Sequence, residues 1–120
     1  MDGRYEELLG FIPVLKDETQ MPLDRRSHYI QDLWDAIYRV VEGNPEYDHM
    51  PYKDLLEEKG IKWEWHSMED ADVSELDERT IVALLLGITR AERFCDGTFL
   101  GFINSGAVLR WLERLEELAD

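Results

Sequence analysis

Over most of this chain the apolar residues fall three and four positions apart, the period of an α-helix that buries one face. The clearest stripe is Ile30, Leu33, Trp34, Ile37, Tyr38 and Val41, with Ser27 placed to cap its start and Glu42-Gly43-Asn44-Pro45 to end it. An earlier segment puts Tyr5, Leu8, Leu9, Phe11 and Ile12 on one broad face, with Asp2 as a cap. Pro13 lacks an N–H and clashes with the preceding turn, which predicts that this first helix stops or kinks there. Residues 16–25 read as a polar connector. Pro51 suits the first position of a short helix reaching about Lys59, with Gly60 as its left-handed stop.

The pattern then changes. Ile61-Lys62-Trp63-Glu64-Trp65-His66 alternates with period two, which predicts an extended segment laying two indoles across the helices. No second segment reads as a strand to pair with it, and an isolated strand is unstable. From about 78 to 94 a helix carries Ile81, Val82, Leu84, Leu85, Leu86 and Ile88 on nearly all sides, the composition of a helix at the centre of a domain. Asp77 is placed to cap it, and Leu76 and Ile81 to form a hydrophobic staple around that cap. Helices over 98–104 and 107–119, parted at Ser105-Gly106, complete the chain. The expected fold is all-α: a single compact domain, residues 1–120, of five or six helices around a buried central helix, with one extended Trp-containing segment.

Charge narrows the partners. Acids number 27 against 13 Lys and Arg, a net charge of −14, and the bases form no stripe. Nucleic-acid backbone binding draws on clustered Lys and Arg, so it is not expected, and anionic lipid surfaces are disfavoured for the same reason. The excess charge serves solubility, or else a surface that imitates a nucleic acid or a site for a basic partner. The longest apolar run, Ile81 to Ile88, falls short of the roughly 20 residues a bilayer crossing needs. Acids stand among the first residues where a secretory signal carries bases, and Cys95 has no partner cysteine. A cytoplasmic protein without a membrane span is the expectation.

Catalytic and ligand motifs were sought by the spacing their chemistry demands. Zinc requires several Cys or His close together, whereas Cys95 stands alone and His28, His49 and His66 are far apart. Asp70-Ala71-Asp72 opens like a calcium loop, but Glu75 occupies the place of the turn glycine and Ile81 that of the bidentate acid. Gly97 and Gly101 belong to no phosphate-binding pattern and suit close helix contact. No cofactor or metal is expected. Arg90 and Arg93, three apart at the end of the central helix, could clamp a carboxylate or phosphate, or else bind acids of the same domain or satisfy terminal carbonyls. Trp63 and Trp65 suit a partner surface or the core.

The stretch Thr89-Arg90-Ala91-Glu92-Arg93-Phe94-Cys95-Asp96-Gly97, with Phe102-Ile103, Gly106, and Leu109 through Leu112-Glu113-Arg114-Leu115, resembles the C-terminal signature of a prokaryotic family, domain of unknown function 6508. Leu8 through Pro13-Val14 looks like that family's opening, and Trp63 and Trp65 like its tryptophan pair. The resemblance implies no activity or ligand. It marks Arg90, Arg93 and Gly97, without separating folding from function.

Arg90, Arg93, Gly97, Trp63 and Trp65 are thus the candidate contacts for a ligand or partner. The leading expectation is an acidic cytosolic domain that acts through protein–protein contact without catalysis. The alternatives are an enzyme or sensor that holds a small anion on Arg90 and Arg93, and an acidic nucleic-acid mimic.

Overall fold

A computed structural model describes residues 5–18, 23–44, 47 and 51–119, with the side chains of 17, 18, 23–29 and 119 left undescribed. Among the described residues eight α-helical segments and one 3-10 turn form the fold, with no strand. They are α1 (Glu6–Leu9), α2 (Phe11–Glu18), α3 (Leu23–Gly43), α4 (Tyr52–Glu58), α5 (Trp65–Glu69), α6 (Glu78–Glu92), α7 (Thr98–Asn104) and α8 (Ala107–Ala119), with the 3-10 turn at Val73–Glu75 before α6.

The central helix is the one the sequence picks out. Every residue of α6 from Thr80 to Thr89 is buried, and α3, α4, α7 and α8 all pack against it. A rod apolar on all sides can satisfy itself only by being surrounded, which places the other helices around it. Asp77 caps it as expected, its Oδ1 accepting from the backbone N–H of Thr80 at 2.9 Å and from the Thr80 hydroxyl at 2.6 Å. Leu76 and Ile81 are both buried on either side of the cap.

These hydrogen bonds hold the Asp77 carboxyl below its ordinary value of 3.8, against the upward pull of burial. A depressed carboxylate contributes stability above its unfolded value and loses it as pH falls through the folded one. Replacement by alanine is expected to cost about 1 kcal/mol at neutral pH, the usual worth of an N-cap. Urea titrations of both proteins should converge as the pH is taken below 3.8. A gap unchanged between neutral and acid pH would show that the charge of Asp77 plays no part.

Three expectations need correction. The first helix breaks at Gly10, and Pro13 sits in the first turn of α2, where its missing N–H has no helical acceptor to lose. The connector is shorter than read, since α2 runs to Glu18 and α3 starts at Leu23; Ser27 therefore lies inside α3 and does not cap it. The extended Trp-containing segment holds only at its start: Trp65 opens the helix α5, so the period-two alternation ends at Glu64. The extra break and the extra helix raise the segment count above five or six. Asp2, His28 and His49 lie outside the described side chains.

Outlying parts are tied to the core by polar contacts. The Tyr5 hydroxyl donates to Glu78 Oε2 at 2.8 Å and meets the Tyr47 hydroxyl, and both phenols are buried. Two arginines of α8 hold the segment before α6: Arg110 donates to the Glu69 carbonyl at 2.6 Å and Arg114 to the Leu76 carbonyl at 3.1 Å. Asp72 accepts from the Ser74 N–H and hydroxyl and so starts the 3-10 turn, the use found for the acid that resembled a calcium ligand.

Candidate functional site

Two glycines seat the two tryptophans. Trp63 lies on α6 at Gly87, where its indole N–H donates to the Gly87 carbonyl at 3.0 Å; a Cβ at that glycine would stand 3.4 Å from Trp63 Cδ1 and 3.0 Å from Met68 Cε. Trp65 lies on α7 at Gly101, where a Cβ would overlap the far edge of the indole ring. Its ring stacks on Phe102 with centroids 4.5 Å apart, and Phe102 in turn meets the buried Trp111 at 5.6 Å. Gly101 thus serves the close approach expected of it, toward an indole of α5.

Gly97 works differently. With φ at +93° and open space around its Cα, it supplies a left-handed turn before α7. Beside it stands a residue the sequence reading passed over. The Glu92 carboxylate accepts from the Gly97 N–H at 2.9 Å and the Phe99 N–H at 2.8 Å, neutralising the start of α7 across the turn. A carboxylate five residues ahead of a turn glycine was the available signal. In the Arg90–Gly97 block, then, Glu92 and Gly97 build the turn.

The turn leaves Phe94 82% exposed and Cys95 exposed at its tip. Phe94 meets Trp63 edge to face, with centroids 6.2 Å apart, and the two rings form one wall of a groove of about 260 Å³. Trp65, Met68 and Phe102 line it further, and Glu64 is the one carboxylate among the lining residues. Trp63 and Trp65 therefore converge on one apolar groove. Arg90, Arg93 and Gly97 do not line it.

The arginines lie near a further neighbour of Trp63, Tyr52. Tyr52 packs against that indole at 6.0 Å, and burial pushes its phenol above the ordinary value while the nearby Arg90 and Arg93 charges pull it down. Arg90 lies over the Tyr38 ring at 5.7 Å, and the Lys53 ammonium over Trp63 at 4.1 Å, both within cation–π range. Among the described residues none of Lys53, Arg90 and Arg93 has an ion-pair partner. The expected alternative, arginines bound to acids of the same domain, is therefore not the arrangement found.

Helices wrapped around a buried rod, with a tryptophan-walled groove at one end of it, define a small all-α domain. A family model described as a family of unknown function, DUF6508, matches residues 15–120, and the chain belongs to that family. Comparisons with curated proteins and with solved structures give no match. Among the described residues no helix is long and apolar enough to cross a membrane.

Proposed function

We propose that this chain is a cytosolic protein-interaction domain whose contact surface is the groove between Trp63, Trp65 and Phe94. The observation that carries it is Phe94, a large apolar side chain 82% exposed at the rim of an apolar groove. Burying such a side chain is worth about 1.5–3 kcal/mol, so leaving it in water is a standing cost that a bound partner removes. Trp is also among the residues that dominate binding hot spots, and two of them line this groove.

A photo-crosslinking residue at position 94 should give a discrete protein adduct in cells, and one at the exposed Glu116 should not. The adduct should vanish when Trp63→Ser is added. Equal labelling at the two positions, or none at 94, would contradict the proposal.

A second reading has its own support. Arg90 and Arg93 are free of carboxylate partners among the described residues, so a small anion could bridge them. Thermal stabilisation by inorganic phosphate that Arg90→Gln and Arg93→Gln abolish would favour this reading over a protein partner.

A further inference from the structure

Three cations stand about the aromatic cluster of Trp63, Tyr52 and Tyr38. Acids outnumber bases by 27 to 13, so a surface Lys or Arg has carboxylates in abundance to pair with. Arg39 takes Glu7, Lys16 takes Glu113 and Arg114 takes Glu117. Lys53, Arg90 and Arg93 take none among the described residues, and neither do Lys59, Lys62, Arg79 and Arg110; what groups the first three is one aromatic cluster, with Lys53 over Trp63, Arg90 over Tyr38 and both arginine charges acting on Tyr52. That cluster is continuous with the groove, because the Trp63 ring meets Tyr52 on one side and Phe94 on the other.

Size argues against a drug-sized ligand. The groove's volume of about 260 Å³ lies below the roughly 300–1,000 Å³ of small-molecule sites and suits a single bulky side chain. An occupant that also reaches the cations has to extend past Trp63, as a peptide does. Glu64 on the groove lining sets its direction, since carboxylates on that side would be repelled.

We propose that the groove's partner is an acidic peptide segment with one bulky apolar side chain, seated between Trp63, Trp65 and Phe94, its carboxylates lying against Arg90, Arg93 and Lys53. This rests on the interaction reading above and adds the partner's chemistry. The net charge of −14 does not oppose it, because charges beyond about 8 Å are screened at physiological salt and the local trio sets the field. The same net charge works against a second copy of the chain, which would bring a whole acidic surface into contact. Elsewhere the acidic surface repels such a segment, which confines it to this patch.

The test uses labelled heptapeptides with a central Phe or Ala flanked by Glu and Asp, by Ser, or by Lys, read by fluorescence anisotropy on the full chain. The acidic Phe peptide should bind most tightly, and raised salt should weaken it. Arg90→Gln with Arg93→Gln should reduce its affinity about tenfold or more, as for other close interfacial charge pairs, and leave the Ser-flanked Phe peptide unaffected. Phe94→Ser should weaken both. Circular dichroism of each variant confirms that it folds.

Tighter binding of the Lys- or Ser-flanked Phe peptide would overturn the acidic partner and leave the groove reading standing. Binding of the acidic Ala peptide as tight as that of the acidic Phe peptide would remove the groove from the account. If no Phe peptide binds, both proposals fall.

Discussion

Alanine in place of Trp111 is expected to remove about 3–5 kcal/mol of stability, the range for truncating a large buried aromatic. The side chain is fully buried on α8, where it meets Phe102 and lies in the same core as α6. The fold around it is held by many helices on one rod, so the cavity can close only by moving helices that have other partners. Since a domain of this size has roughly 5–15 kcal/mol in all, the variant should sit near the edge of folding. Urea unfolding should show a lower midpoint with an unchanged slope.

Trp111→Phe separates shape from polarity at the same position. The Trp111 indole N–H has no hydrogen-bond partner among the described residues, so phenylalanine gives up no bond and removes a buried unpaired donor. Its loss should stay under about 2 kcal/mol. Equal losses for the two variants would mean that the N–H has a partner after all.

The parts of the fold legible in the sequence are those written in local patterns. The all-round apolar run of α6, the Asp77 cap with its staple and the Gly60 stop each depend on residues a few positions apart, and each is found where expected. Pro13 misled because the rule against proline applies to helix interiors, and a break at Gly10 makes it a first-turn residue. The short helix at Trp65 was hidden because Ile61, Trp63 and Trp65 alternate as strand residues do. What places Trp65 is a tertiary contact with Gly101, 36 positions away in sequence.

The candidate site was legible in its members and not in its grouping. Trp63 and Trp65 share a groove, but with Phe94, which looked like one more apolar residue until the turn left it in water. Arg90 and Arg93, read from the sequence as candidate contacts for a ligand or partner, are not among the residues that line that groove. Gly97 and Glu92 together make the turn that presents Phe94. The block Arg90–Gly97 thus combines folding and presentation, a division no spacing rule could assign.

Alanine at Gly101 is expected to open the groove at a moderate cost in stability. The added methyl would overlap the Trp65 ring, 2.8 Å from its Cζ2, so the indole has to leave. It can do so without moving the backbone, because Trp65 is already 37% exposed and its ring edge is the far end of a flexible side chain. Leaving forfeits the stack on Phe102, about 0.5–1.5 kcal/mol beyond the area buried. Alanine in place of glycine within α7 returns up to about 1 kcal/mol. With the apolar burial also lost, worth up to about 1.5–3 kcal/mol, the variant should be less stable by about 1–3 kcal/mol and still fold. The groove, however, loses a wall. The Trp65 indole N–H, which donates to Glu69 in the native chain, should show a large shift in a nitrogen–proton correlation spectrum, and the acidic Phe peptide should bind at least about tenfold more weakly. Gly87→Ala is the contrast. There the nearest atom is Met68 Cε at 3.0 Å, the loose end of a methionine that can yield, so Trp63 should stay in place and the peptide should still bind. If Gly101→Ala left the Trp65 resonance and peptide affinity untouched, the indole would not be resting on α7, and the groove as drawn would not exist.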